Sequence, residues 1–285
     1  MSDQFYAMNG GDGSQSYTKN SSLQVYFNDR TSNDFNTLFA LLPFERQYHA
    51  AGVPGSFHDR QLPMASLHFA YSSCTLHWLS EVPKEVMDHL SPAWNKGRIL
   101  YYGDKKEVFN AYAHQFAKDL NSFLKARAQE LVFGGLMALI FPCEPNPIKD
   151  ISNILYLHSE LLGSCLIDLA KKGLFDAAKV DSFNLPVYFT HPNELKALIE
   201  RNEDFDIERM EILNNSTKHL TTNSKLFTGF IRALYEGLLK VHFGSEIMDE
   251  LFKTYEEKVE ESALLFSPNE NSMITFVLLK CKRIS

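Results

Sequence analysis

A chain of 285 residues with 45% hydrophobic content can bury one sizeable core, and its length admits one large domain or two small ones. A formal net charge of −7 removes any general attraction to nucleic acid or to an anionic membrane surface, which leaves a small molecule as the expected partner. The four cysteines, Cys74, Cys143, Cys165 and Cys281, lie far apart with no C-x-x-C, so neither a zinc site nor a disulfide framework is indicated.

A reducing compartment fits that cysteine usage. The N-terminus MSDQFYAMNGGDG has neither a basic nor an apolar leader segment, and no run of eighteen apolar residues occurs, so a soluble, cytoplasmic protein is expected. Aromatic residues make up 13% of the chain, more than a sheet core requires and suited to an apolar pocket, although most must serve the core.

In chain order, residues 1–24 are polar and weakly periodic and read as an arm lying over something else. Val25-Tyr26-Phe27 is a short apolar strand ending on Asn28-Asp29, and an acid at such a strand end can hold ribose hydroxyls, or simply form a turn or helix cap. Phe35 to Leu42 reads as a short amphipathic helix. Gly52 to Pro83 then gathers the chemistry. Gly52, Pro54 and Gly55 predict a sharp turn close to a ligand, with Ser56 and Phe57 at its lip. Ala65 to Ser72 is a buried-looking strand, and Ser73-Cys74-Thr75-Leu76-His77-Trp78 places hydroxyl, imidazole and indole donors at its end, where open α/β sheets bind ligands.

Pro83 to Asp104 is loop-rich. Val108, Ala111, Tyr112, Phe116, Leu120, Phe123 and Leu124 recur at three and four, predicting a long helix over Lys105–Glu130 that Gly134-Gly135 stops. Leu136 to Pro142 reads as a buried strand and Ile148 to Lys172 as a helix closed by Gly173. Asp181 to Pro186 is a turn before an extended Val187-Tyr188-Phe189, and His191-Pro192-Asn193 caps a helix to Glu200. Phe205–Leu213 alternates as a half-buried strand, helices follow over Ser224–His242 and Glu246–Glu261, and MITFVLLKCKR closes the chain as a strand. The pattern is an α/β sheet with a helical elaboration near residues 145–200.

Several motifs occur in one order: Met8-Asn9-Gly10-Gly11, Ser16-Tyr17, the run Asn20 to Gln24, Phe27-Asn28-Asp29, Asn33-Asp34-Phe35-Asn36, GVPGSF, SLHF-x-x-SS-x-x-LHWLS-x-VP, Asn95-Lys96-Gly97, RAQELV-x-GG, DSFNLP and HFG. Together they resemble the plant SABATH methyltransferases over essentially the whole chain, with the farnesoic-acid-type branch nearest. The resemblance implies a Rossmann-like methyltransferase sheet with a helical substrate cap. It implies an N-terminal arm over residues 1–24, a core over 25–144, a cap over 145–200 and C-terminal core elements over 201–285. The activity implied is methyl-ester formation on small carboxylic acids by S-adenosyl-L-methionine, in a homodimer.

One departure stands out. Between the arm and the F-N-D strand the family carries several tens of residues with the first strand and a glycine loop that wraps the cofactor, whereas here Leu23-Gln24 runs straight into Val25. A sheet without that strand leaves backbone partners unpaired unless another strand takes its place.

For the cofactor the resemblance implies Tyr17 and Ser21 at the methionine part, Asp29 at the ribose, and Ser56 and Phe57 at the adenine. For the acid it implies Gln24 and Trp78 as carboxylate donors, with Ser72, Ser73, Cys74 and His77 lining the pocket. Arg30, Asn9 and Cys74 depart from residues common in relatives, an apolar side chain, a lysine and a tyrosine respectively. It further implies a structural Mg²⁺ on Asn95, Asp181, the Phe183 carbonyl and Asn184, all hard oxygen donors; Asp181 and Asn184 equally suit a plain turn. A carboxyl acceptor with a pKa near ~4 needs no general base, so His77 is expected to shape and hydrogen-bond rather than deprotonate. A non-catalytic relative that binds an acid or a partner chain is the competing reading, and Gly55-Ser56 does not complete the G-x-S-x-G of a serine hydrolase.

Overall fold

Among the described residues, the apolar runs come together in one seven-stranded sheet of order β3-β2-β1-β4-β5-β7-β6. The computed structural model describes residues 5–9, 23–102, 105–144, 154–213, 223–262 and 273–283, with residues 5–9 and 154–156 described by their backbone. The strands are β1 (Phe5–Asn9), β2 (Leu23–Asp29), β3 (Tyr48–Pro54), β4 (Leu67–Ser73), β5 (Leu131–Cys143), β6 (Phe205–Leu213) and β7 (Met273–Cys281). The helices are α1 (Phe35–Leu41), α2 (Lys106–Glu130), α3 (Ile154–Lys171), α4 (Ala178–Asp181), α5 (Pro192–Glu200), α6 (Ser224–Phe243) and α7 (Met248–Glu261). None of these helices is long and apolar enough to cross a membrane, and no disulfide links the cysteines.

Where the sequence predicts an arm, the structure places a strand. Phe5–Asn9 lies between β2 and β4, antiparallel to both, with Phe5 level with Asn28 on one side and Ser72 on the other. The slot left by the shortened chain would expose two rows of backbone N–H and C=O groups in mid-sheet, and pairing with β1 satisfies them. The direction matters for function. β2, β3, β4 and β5 run parallel, so Asp29, Pro54, Ser73 and Cys143 end at one edge of the sheet; β1 brings its first residue to that edge instead of a loop.

Gly52 also differs from expectation, being extended within β3 rather than in a turn. A Cβ there would meet Phe35 Cδ1 at 2.9 Å and Phe39 Cε2 at 3.4 Å, so the glycine lets α1 settle on the edge strand. Gly52→Val is expected to lower stability by about 1–3 kcal/mol through overpacking, read as a shift of the urea midpoint. Nor do Gly134 and Gly135 stop α2, which ends at Glu130 and passes directly into β5. Gly134 takes φ +75° where β5 bulges against β4, the register jumping from Leu67↔Leu131 to Phe69↔Leu136.

The long helix α2 buries Tyr112, Phe116, Leu120, Phe123 and Leu124 at three- and four-residue spacing, as its sequence predicts. Buried Phe227, Ile231, Tyr235 and Leu239 stripe α6, and Leu251, Tyr255 and Val259 stripe α7. These helices pack on each other, and α7 packs on α3.

Candidate active site

The end of β4 forms the densest part of the site. Cys74 turns the chain with a left-handed φ of +52°, its N–H donating to the Ile140 carbonyl at 2.9 Å, and Trp78 N–H closes the turn on the Thr75 carbonyl at 3.0 Å. Trp78 then bridges Val187 as an isolated antiparallel pair. Tyr188 N–H donates to the His77 carbonyl at 2.8 Å and Leu79 N–H to the Pro186 carbonyl at 2.7 Å, which sews the 185–189 segment across this turn.

Side chains from four elements meet there. The His77 ring stacks on Phe189 with centroids 5.3 Å apart, and Trp78 faces Tyr235 of α6 at 5.9 Å. His158 of α3 stacks on the same Tyr235 at 5.9 Å. Trp78 Nε1, His77 Nδ1, His158 Nδ1 and Ser72 Oγ are all shut off from solvent and have no hydrogen-bond partner among the described residues. Leaving such groups unpaired costs about 1–3 kcal/mol each unless a ligand supplies the partner. Burial pushes the His77 imidazole down to about 3 and that of His158 down to about 4, so both are neutral near pH 7 and act as hydrogen-bonding groups rather than charges. His158 and Tyr235 were not legible as site residues. A histidine on an apolar helical face was the signal, and only packing tells a ligand group from a core one.

A second group stands two strands away at the ends of β2 and β3. Asn28 Nδ2 donates to the carbonyls of Val53 (2.7 Å) and Gly55 (3.1 Å), and Gly55 N–H donates to the Asp29 carbonyl at 2.8 Å. Asp29 is thereby locked beside the loop that carries Ser56 and Phe57. One Asp29 oxygen accepts from Arg30 N–H at 2.7 Å, while Oδ2 is buried with no partner among the described residues. Desolvation raises the Asp29 pKa, against a lowering by the Arg30 N–H and guanidinium. Ser56 is exposed, and Phe57 is half-buried edge-on to Phe123 with centroids 6.4 Å apart.

The sheet register separates Gln24 from both groups. With no chain between arm and strand, Gln24 is drawn in as the second residue of β2, paired to Asn9 and His49. That is four residues before Asn28, or about 13 Å down the sheet from the ligand edge. Tyr17 and Ser21 lie outside the described residues.

Asn95 and Asn184 meet directly, and Asp181 reaches the same loop through Gly97. Asn184 Oδ1 accepts from Asn95 Nδ2 at 2.7 Å and from the Tyr112 hydroxyl at 3.4 Å, and an Asp181 oxygen accepts from Gly97 N–H at 2.9 Å. Phe183 N–H donates to the Val180 carbonyl, continuing the turn. With a single carboxylate in the set, and with Asn184 Oδ1 and one Asp181 oxygen already accepting from protein donors, the arrangement fits a divalent cation poorly, since the cation would have to displace those donors. Among the described residues no cluster of three His, Cys, Asp or Glu side chains could hold a metal either. The knot instead ties the 95–100 loop to the turn before Pro186, aided by Leu185 N–H on the Ile99 carbonyl at 2.7 Å.

With this geometry in hand, the likeness to known proteins is specific. Residues 22–282 match the family described as SAM dependent carboxyl methyltransferase. Loganic acid O-methyltransferase of Catharanthus roseus is 44% identical over 254 residues, which cover 88% of this chain and 68% of that one. Farnesoic acid carboxyl-O-methyltransferase of Arabidopsis thaliana is 41% identical over 239 residues, 84% of this chain and 68% of its own. A solved structure of loganic acid methyltransferase with SAH superposes with a TM-score of 0.87 at 43% identity, covering 91% of this chain and 74% of that one. Each relative therefore contains chain with no counterpart here.

Proposed function

The chain belongs to the SABATH family of S-adenosylmethionine-dependent carboxyl methyltransferases, and on that premise we propose that it forms the methyl ester of a small plant carboxylic acid seated between Trp78, His77 and His158. The observation that carries this reading is the buried Trp78 Nε1, a donor without a partner among the described residues, held at the strand-end edge of the sheet beside Tyr235. An ionised acid offers the acceptor that this N–H lacks.

The Asp29 carboxylate suits the cofactor's ribose, because its free Oδ2 can accept from a hydroxyl and the adjacent Ser56-Phe57 loop offers a hydroxyl and an aromatic face to an adenine. When bound, S-adenosylmethionine supplies an electrophilic methyl group on its sulfonium. The chain's own part is positional. Trp78 Nε1–H holds a carboxylate oxygen, neutral His77 and His158 donate or accept at the rest of the acid, and the Phe189, Trp78 and Tyr235 rings keep water out. No side chain has to remove a proton, since the acid is ionised at neutral pH.

Recombinant protein tested by calorimetry with S-adenosylhomocysteine, and with labelled S-adenosylmethionine against loganic acid, farnesoic acid and a panel of small plant acids, is expected to bind the cofactor product and release a methyl ester. No binding at millimolar concentration and no ester would leave at most an acid-binding relative. Asp29→Ala is expected to weaken S-adenosylhomocysteine about tenfold to a hundredfold, the worth of hydrogen bonds to a charged group. The sign with pH follows from the raised Asp29 pKa. Ribose hydroxyls favour the ionised form, so affinity is level above that raised pKa and falls as pH drops through it, a dependence that Asp29→Ala removes.

A further inference from the structure

The buried face of α2 carries Asp119, Arg127 and Glu130 among its aromatics, with Arg127 and Glu130 fully buried. An apolar face would pack as well, and burying an ion pair adds little stability in itself. These groups are directed at the backbones of two loops. Arg127 Nη1 donates to the Phe57 carbonyl at 2.9 Å and Nη2 to the Asp59 carbonyl at 2.8 Å. Glu130 Oε1 accepts from Gln61 N–H and from Leu62 N–H, and the pair itself closes at 2.7 Å between Arg127 Nε and Glu130 Oε2. Three turns earlier, Asp119 Oδ2 accepts from Ser80 N–H at 2.8 Å and Oδ1 from the Ser80 hydroxyl at 2.7 Å, with Gln115 Nε2 bracing the same oxygen at 2.9 Å.

The first loop carries Ser56 and Phe57, and the second follows Trp78 by two residues. One rigid helix thus grips both halves of the site at points eight to eleven residues, or about 12–16 Å, apart along its axis. Building on the methyltransferase reading, we infer that α2 sets the spacing between methyl donor and acid, with the Arg127–Glu130 pair positioning the cofactor side and Asp119 positioning the acceptor side. In-line transfer depends on that spacing, and a displacement of an ångström is enough to slow it.

The test separates positioning from simple support. An Arg127→Met/Glu130→Met double variant strands no buried charge, so it is expected to stay folded and to lose less stability than Glu130→Ala, although both free the Gln61 and Leu62 N–H groups. Its calorimetric Kd for S-adenosylhomocysteine is expected to rise about tenfold as the Phe57 loop loosens. Asp119→Asn is expected to leave that Kd within about twofold while kcat/KM for the acid that wild type methylates falls about tenfold. A folded double variant that binds S-adenosylhomocysteine as tightly as wild type overturns the inference, as does an Asp119→Asn protein that loses cofactor affinity equally. Wild-type protein that binds no S-adenosylhomocysteine overturns the methyltransferase reading and this inference together.

Discussion

Trp78→Phe is expected to cut methyl-ester formation about a hundredfold in kcat/KM while thermal stability holds or rises. The phenyl ring keeps part of the contact with Tyr235 and removes, with the indole's second ring, a buried N–H that has no partner among the described residues. Losing a hydrogen bond to a charged acceptor is worth about 1.5–3 kcal/mol, and removing an unsatisfied buried donor returns about 1–3 kcal/mol to the fold. Opposite changes in rate and melting temperature mark a group held for its ligand. A core tryptophan would give the reverse, with little change in rate and a loss of stability. Steady-state kinetics with the accepted acid, alongside a thermal melt, decides between them, and an unchanged kcat/KM would remove Trp78 from the acceptor site.

The largest loss of stability is expected from Glu130→Ala. It leaves the Arg127 guanidinium buried at 0% side-chain exposure without its counter-charge and frees Gln61 and Leu62 N–H groups. Breaking a buried pair from one side costs about 3–5 kcal/mol, far more than replacing both partners by apolar groups. Burial already lowers the Arg127 pKa, with Glu130 working against that shift. Urea unfolding followed by circular dichroism should show a large fall in midpoint for Glu130→Ala and a smaller one for the Arg127→Met/Glu130→Met protein. Equal losses in the two proteins would mean that no strong coupling joins the residues.

Local pattern carried much of the fold. The 3.6-residue stripes of α2, α6 and α7 and the apolar runs of β2, β4 and β7 are visible because each element buries a face set by its own period, whereas β6 forms as a strand but loses its alternation at the register shift after Ile207, leaving Ile212 exposed. What failed was set by distant partners. FYAMN lies in a polar, glycine-containing stretch, and its strand is defined by β4, some sixty residues later. YHAAGVP carries a glycine and a proline that suggest a turn, yet Tyr48–Pro54 pairs residue for residue with β2 and uses Gly52 for close packing. Of the residues proposed for the site, Asp29, Ser56, His77 and Trp78 are legible as unusual side chains just after strand ends. His158 did not, because its partner Tyr235 comes from another helix. Gln24 stands four residues before Asn28 within β2, a placement set by strand pairing rather than by side-chain chemistry.

The reversed run of β1 bears on how the sheet can assemble. Phe5–Asn9 pairs with β2 on one side and with β4, some sixty residues later, on the other, so among the described strands it is the seam between the β3-β2 half and the half that holds β4, β5, β7 and β6. The two halves are expected to close only after this short strand has found both neighbours, which makes its late, long-range pairing the slow step of sheet formation.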